Sequence, residues 1–218
     1  IFDNNKISIL EGNIANIHTS LGDYNQALDK QRNVLKLKEA LGDKRAIAST
    51  INQIGINYHY LDKLKKALEY YNKAKIIRME IEDLNGLAHS LFLIGIIYEN
   101  LSHLDKAREF FEKSLEIQKK IGLKKGSIVF ETQIYLNILN KKSNKSCDKK
   151  LIIDLIEQNK AGIDYVVYYR LYNLLEDSTY LKSAKHEVEK IVSKLSEPDI
   201  FINLTTPKAI LDESKKIQ

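Results

Sequence analysis

Apolar side chains recur three and four positions apart along most of the chain, which is the spacing of one face of a helix. A shift of the sequence by about 40 residues superimposes three copies of this pattern. The columns that coincide include Ile14, Ile54 and Ile94; Leu21, Leu61 and Leu101; Leu37, Ile77 and Ile117; and Leu41, Ile81 and Ile121. Because each helix has only one apolar stripe, it must stack on its neighbours to bury that stripe. The pattern predicts stacked helix pairs with a period of about 40 residues.

Small residues occupy two fixed positions in each copy, where they allow neighbouring helices to approach closely. They are Ala15, Gly55 and Gly95 in the first helix of each pair, and Ala27, Ala67 and Ala107 in the second. We expect large side chains at His18, Tyr58 and Tyr98 to fill the gap between the two helices. The helices are separated by short polar turns, in which Gly22 suits a positive φ at a helix end. Ser102 followed by Asp105 predicts the start of the next helix.

These columns resemble the tetratricopeptide repeat, a family of α-helical solenoids that bind other proteins. The second copy matches best, the third matches with Ser114 in its last small position, and the first is poorer. The matching residues are Ile54, Gly55, Tyr58, Ala67, Tyr71 and Ala74 in the second copy; Ile94, Gly95, Tyr98, Ala107 and Phe111 in the third; and Ala15, His18, Ala27, Gln31 and Val34 in the first. The period exceeds the usual length of about 34 residues, as in the longer repeats of the Pins/LGN type and of bacterial signalling regulators. The resemblance implies an all-α superhelix of antiparallel helix pairs.

The chain divides into three predicted parts. Residues 1–140 would hold three regular repeats and the first helix of a degenerate fourth, over 127–139. Residues 141–150 are predicted to form an exposed basic loop, because they are polar and rich in lysine. Residues 151–218 would form degenerate helical repeats and a helical cap on the apolar end of the stack. Neither a signal peptide nor a start residue opens the sequence, so we expect a piece of a longer protein.

Within the third part, helices are predicted near 151–156, over 162–176 and over 180–195, with Ala184 in a small position. Pro198 and Pro207 suit the first turns of short terminal helices. This segment resembles the closing part of repeat arrays in large bacterial regulators, where the array follows an ATPase, kinase or cyclase domain. That resemblance implies a sensor or partner-recruiting role in a larger regulator.

Candidate chemistry is sparse. The nine glycines form no phosphate-binding loop, and the five histidines lack metal-ligand spacing. We expect no enzymatic activity, no cofactor and no metal, and we expect His59 and His89 to act as hydrogen-bonding groups in one groove. A single cysteine, Cys147, fits a reducing compartment, and no apolar run is long enough to span a membrane. We therefore expect a cytoplasmic protein without a membrane partner.

Two features leave alternatives open. Tyrosines 165, 168, 169 and 172 share one helical face, either as an aromatic platform or, as we favour, packed against the 180–195 helix. The net charge is +5, and nine lysines lie between residues 119 and 150. A nucleic-acid-binding solenoid that uses them is the alternative function, although lysine-rich loops are usually just solvated. These lysines are Lys119, Lys120, Lys124, Lys125, Lys141, Lys142, Lys145, Lys149 and Lys150.

The resemblance also implies that the first helix of each pair lines a concave groove. Its register places mainly amide and small polar side chains there, which suit the backbone of an extended peptide. The residues are Asn13, Asn16, Ser49, Asn52, Gln53, Ile56, His89, Phe92, Ile96, Asn100, Gln133 and Asn137. A non-catalytic scaffold that binds a protein or peptide segment is the predicted function. The Lys/Asn clamp for a C-terminal carboxylate is not repeated in this chain, and ordinary solvated amides are the alternative reading of this set.

Overall fold

The computed structural model describes residues 3–123, 127–143, 145, 149–158, 163, 165–194 and 205–216. Every regular element within these ranges is an α-helix. The helices are α1 (Asn4–Ser20), α2 (Tyr24–Leu41), α3 (Lys44–Tyr60), α4 (Leu64–Glu80), α5 (Leu84–Asn100), α6 (Leu104–Lys120), α7 (Ser127–Lys142), α8 (Lys149–Gln158), α9 (Tyr165–Leu175), α10 (Ser178–Val192) and α11 (Thr205–Lys216). This confirms the predicted all-α class.

The first six helices form three stacked pairs with the predicted period. Helices α3 and α5 each have 17 residues and begin at equivalent positions of successive copies, as do α4 and α6. Each helix packs on the next one along the chain from α1 to α7. Asp43 and Asp83 cap the starts of α3 and α5 by accepting backbone hydrogen bonds from Ala46 and Gly86. The repeat is therefore regular in its caps as well as in its packing.

Close helix approach depends on the small residues, as predicted. A Cβ atom added at Gly55 would lie 2.5 Å from the ring of Tyr71, and one at Gly95 would lie 2.7 Å from the ring of Phe111. Both distances are below van der Waals contact, so an aromatic ring of the second helix occupies the space above each glycine. Ala67 and Ala107 are fully buried at the second small position. The core of the stack thus alternates small and aromatic side chains.

The turns between paired helices use a left-handed residue at one position. Gly22, Asp62 and Ser102 occupy this position in the three successive copies and have φ values of 81°, 56° and 61°. Gly22 confirms the predicted positive φ. The next helix does start after Ser102, but Ser102 is not its cap, because its conformation closes α5 and His103 occupies the N-terminal cap position of α6.

The helices after the third repeat form a second packed region. Helix α7 covers the segment predicted as the first helix of a fourth pair, and it joins α8 and α9 in one apolar cluster around Ile134, Ile152 and Leu171. The expected loop does not cover all of residues 141–150, because Lys141 and Lys142 belong to α7 and Lys149 and Lys150 to α8. Cys147 lies outside the described residues.

The last helices turn back toward the start of the chain. Helix α10 packs on α9 and α11. An apolar cluster joins their residues to Tyr24 at the start of α2, whose ring stacks on that of Tyr60 at 5.0 Å. The tyrosine face of α9 belongs to this cluster, which confirms core packing over an exposed aromatic platform. Pro207 lies in the first turn of α11 as predicted, and Pro198 lies outside the described residues.

Candidate functional site

The inner faces of α3 and α5 lie side by side and line two neighbouring cavities. The first has a volume of ≈ 220 Å³, and the second has a volume of ≈ 580 Å³. His89 lines both, so they are adjacent along the same face. We call the face formed by these two cavities the inner groove.

The first cavity combines an apolar base with a few polar groups. Ile56, Phe92 and Ile96 line it, and Phe92 is 3 % exposed. The ring of Phe92 packs against Phe111 at 5.7 Å and edge-on against Tyr135 at 5.4 Å, which holds this surface rigid. An apolar base with a few fixed polar groups is typical of sites that take one side chain of a ligand.

The polar groups of this cavity include two histidines from adjacent repeats. Burial, followed by the nearby charge of Arg170, lowers the pKa of His59 to about 4. Burial and the charge of Arg78 lower the pKa of His89 to about 4. His59 Nε2 lies 2.8 Å from Asn100 Nδ2, within hydrogen-bond distance. Both rings are neutral at pH 7, so they offer hydrogen bonds rather than charge.

Helix α9 forms the opposite wall of the first cavity. Tyr165, Val166, Val167 and Arg170 line it, together with Thr206 and Pro207 at the start of α11. The C-terminal helices therefore lie across the inner faces of the second and third repeats. The expected cap would cover only the end of the stack, whereas these helices also narrow the groove.

A buried ion pair fastens α9 to this face. Arg170 Nη1 lies 2.6 Å from Glu99 Oε2, and Glu99 is 3 % exposed. Arg170 also donates to Asn100 Oδ1 at 2.9 Å and lies over the ring of Tyr135 at 4.6 Å. Lys142 pairs with the other oxygen of Glu99. Burial alone would raise the pKa of Glu99, but Arg170 and Lys142 outweigh it and hold that pKa below its ordinary value.

The second cavity lies at the N-terminal ends of α3 and α5, and most of its lining residues have polar or charged side chains. Arg78, at the last turn of α4, is 5 % exposed and lines this cavity. Its other lining residues are Arg45, Ser49, Asp83, Asn85, Gly86, His89 and Ile128.

A third cavity, of ≈ 350 Å³, lies where the C-terminal helices approach the first repeat. Asn16 and Gln53 line it, and Glu187 and Ile191 of α10 form its other side. It is separate from the inner groove, although Tyr60 and Tyr165 line both this cavity and the first one.

Most of the predicted groove residues line one of these cavities. They are Asn16, Ser49, Gln53, Ile56, His89, Phe92, Ile96 and Asn100. Asn13 is exposed on α1, and the Asn137 side chain donates to the backbone carbonyl of Gln133 within α7. Asn52 is 1 % exposed and bonds to Ser90 on the next repeat. It therefore fastens two repeats together and has no surface for a ligand.

Sequence reasoning missed Arg78, Glu99 and the whole wall supplied by α9. Arg170 is the only charged residue of α9, and Glu99 follows the apolar run of α5. A lone charged residue in an apolar helix indicates a buried partner of opposite charge. An ion pair between Arg170 and Glu99 could therefore have been predicted from the sequence. No sequence pattern would have given the return of α9 itself.

The lysines proposed for nucleic-acid binding have mixed surroundings. Lys141 pairs with Glu176 at 2.7 Å and donates to the carbonyls of Asn173 and Leu174, and Lys142 pairs with Glu99. Lys124 and Lys125 lie outside the described residues. Nucleic-acid binding stays a prediction.

No group of three histidine, cysteine or acidic side chains that could hold a metal ion occurs in the described ranges, and none of the helices described has the length and apolar content needed to cross a membrane.

The family model for the tetratricopeptide repeat matches residues 6–75 and 47–120, which together are more than half of the chain. The chain belongs to the tetratricopeptide repeat family. No curated protein sequence matches this repeat protein significantly.

Solved structures show the same fold at low sequence identity. The apo form of RapI is 16 % identical, with a TM-score of 0.64 over 99 % of this repeat protein and 66 % of RapI. A Rap protein complexed with competence and sporulation factor is 12 % identical, with a TM-score of 0.65 over 100 % and 65 % of the two chains. The Rap conjugation gene regulator of the plasmid pLS20, in complex with the Phr* peptide, is 14 % identical, with a TM-score of 0.60 over 95 % and 62 %. The repeat protein thus spans less than two thirds of the length of each of these three relatives.

Proposed function

We propose that this chain is a non-catalytic module that binds a peptide segment of a partner protein in the inner groove. The observation that carries the proposal is the first cavity, where Ile56, Phe92 and Ile96 form an apolar base beside the neutral His59 and His89. Such a surface suits one apolar side chain of an extended peptide and its backbone. One structural relative was solved in complex with the Phr* peptide, which supports the same use of the fold.

The volume of the first cavity supports a small anchor rather than a whole ligand. A cavity of ≈ 220 Å³ is smaller than the roughly 300–1,000 Å³ typical of small-molecule sites. One large side chain would fill it, and the rest of the peptide would lie along α3 and α5. Binding energy would then concentrate in one or two anchors, as in most peptide interfaces.

A selection from a library of random twelve-residue peptides against the immobilised full chain tests this proposal. Ile56 is half-buried in the cavity, and Ile76 is 54 % exposed on α4 outside it, so they form a matched pair. We expect Ile56→Ala to weaken the selected peptides by about tenfold and Ile76→Ala to leave them unchanged. Equal affinity of both variants would reject the inner groove as the site. Asn52→Ala and Phe92→Ala are poorer probes, because both residues are buried in the core.

We also propose that the module recruits partners for a larger bacterial regulator in the cytoplasm. The pLS20 relative, described as a gene regulator, supports this role for a chain of the same fold. An immunoblot of source cells with antibodies to this chain tests it, since a larger regulator would give a band well above 25.1 kDa. A single band at that mass would contradict the proposal.

A further inference from the structure

Arg78 is a buried cation that forms no salt bridge within the described residues, although the Asp83 carboxylate lies close enough to act on its charge. It is 5 % exposed, and its Nη1 donates to the carbonyl of Gly86 and, at 3.3 Å, to Ser90 Oγ. Its Nε is buried and has no hydrogen-bond partner. In the described part of the chain, no carboxylate lies within 4.0 Å of its guanidinium. Burial lowers the pKa of Arg78, and Asp83 only partly opposes this effect.

The next repeat shows that a neutral side chain at the position of Arg78 can link one repeat to the next. Gln118 stands in the same column as Arg78, one copy later, and is fully buried. Its Nε2 donates to Ser114 Oγ and, across to α7, to Thr132 Oγ1. Arg78 makes the equivalent link from α4 to α5. A neutral amide thus suffices to join one repeat to the next, whereas a buried charge without a salt bridge costs free energy.

The surroundings of Arg78 favour a ligand with a single negative charge. Arg45 and Arg78 both line the second cavity, and Arg45 is 75 % exposed. Asp83 is the one carboxylate in the lining, 3.9 Å from Arg45 Nε, and it also caps α5 through the backbone N–H of Gly86. With His89 neutral, the lining carries one net positive charge. A carboxylate balances that charge, while a phosphate dianion would leave the cavity with a net negative charge.

We propose that the second cavity binds one carboxylate of the peptide ligand, with Arg78 as its buried anchor and Arg45 at its rim. Guanidinium groups hold carboxylates through paired, charge-assisted hydrogen bonds, and Arg78 has an unused donor at Nε. This inference rests on the proposed peptide-binding function and adds the chemical class of the ligand. Because His89 lines both cavities, the preferred peptide has an apolar residue and, close to it in sequence, an acidic group.

The peptide experiment uses Arg78→Gln, which reproduces the residue found at the same position of the next repeat. We expect peptides selected on the wild-type chain to share an acidic group and to bind Arg78→Gln about tenfold more weakly or worse. Arg45→Gln should lose affinity mainly at low salt, because Arg45 is exposed. Lys44→Gln, adjacent in sequence and outside the cavity lining, is the matched control and should change nothing.

Modified peptides distinguish the sources of the carboxylate. Replacing the acidic side chain by its amide abolishes the effect of Arg78→Gln if a side chain supplies the group, and amidating the C-terminus does so if the chain end supplies it. A phosphoserine in place of the acidic residue should bind more weakly than the parent peptide. Equal binding of an acidic peptide to wild type and Arg78→Gln would overturn the proposal, as would tighter binding of the phosphopeptide.

A second measurement separates this proposal from the peptide function. Acetate is titrated into the ¹⁵N-labelled chain at constant ionic strength, with chloride as the reference, and the arginine Nε–Hε signals are followed. The site predicts that acetate shifts the Nε–Hε signal of Arg78. That signal is identified by its absence from the spectrum of Arg78→Gln. No shift would overturn the carboxylate site even where peptides bind, whereas a shift without any selected peptide would support the site and refute the peptide function.

Discussion

The ion pair between Arg170 and Glu99 gives the sharpest test of how the C-terminal helices are held. Arg170→Met keeps most of the aliphatic side chain but removes the 2.6 Å contact to Glu99 and the hydrogen bond to Asn100. Removing one partner of a buried pair costs about 3–5 kcal/mol. Lys142 stays beside Glu99, so we expect the lower part of that range, about 3 kcal/mol of unfolding free energy.

A double-mutant cycle isolates the pair. Replacing Glu99 as well, as in Arg170→Met/Glu99→Leu, removes the buried charge, and Lys142, whose side chain is 47 % exposed, can turn to solvent. The double variant should therefore be more stable than the sum of the single effects by about 2 kcal/mol. Urea denaturation of the full chain, followed by circular dichroism and by the fluorescence of its 12 tyrosines, measures this coupling.

Hydrogen exchange locates the effect of the same variant. In Arg170→Met, the amides of α9 should exchange faster, while those of α3 to α6 keep their protection. Lys113→Met, which breaks an exposed pair with Glu109 on α6, is the control and should change little. A coupling energy below about 0.5 kcal/mol, or uniform loss of protection across the chain, would refute the reasoning that this pair fastens α9 to the groove.

Two further predictions concern the groove and the core. Because the pKa values of His59 and His89 are lowered to about 4, the unfolded chain binds protons first as the pH falls below 6.5. Stability should therefore be greatest above that pH and decline toward pH 4, by up to about 1.4 kcal/mol per pH unit for each histidine. An acid titration of the variant His59→Gln/His89→Gln should be flatter, and an equally steep profile would contradict the assignment. Gly95→Ala should cost about 1–3 kcal/mol in urea, because its Cβ would meet Phe111, whereas Gly12→Ala, with nothing within 4 Å, should gain about 0.5–1 kcal/mol. A gain at Gly95 would be inconsistent with the packing described.

The fold was predictable because its contacts are local. Each helix of the first three repeats packs on the next along the chain, so a regular register in the sequence translates directly into a stack. Gly55 and Gly95 indicated the close helix approach, and their partners Tyr71 and Phe111 stood in matching columns. Ser102 misled us because serine is a common cap, whereas the left-handed position that Ser102 occupies was marked in sequence only by Gly22 of the first repeat.

The site was less predictable because it joins distant segments. The inner positions of α3 and α5, such as Ser49 and Ile56, follow from the repeat register. The Arg170–Glu99 contact joins residues 71 positions apart, and no periodicity in the sequence encodes the path of α9. Arg78 could have been noticed as a charge in a column whose third member, Gln118, is neutral. Its burial depends on how α5 begins, which only the packed structure shows.

The contact of Tyr24 and Tyr60 with the C-terminal helices limits the number of repeats that this architecture can hold. An open solenoid tolerates duplication of a unit, because each unit touches only its neighbours. In this chain, one more copy of residues 44–83 would move Tyr24 away from α10 by the width of a helix pair, roughly 20 Å. The ends would then no longer meet. The contact between Tyr24 and the C-terminal helices is thus compatible with only one number of repeats. Duplication of a repeat during evolution would require the C-terminal helices to change at the same time.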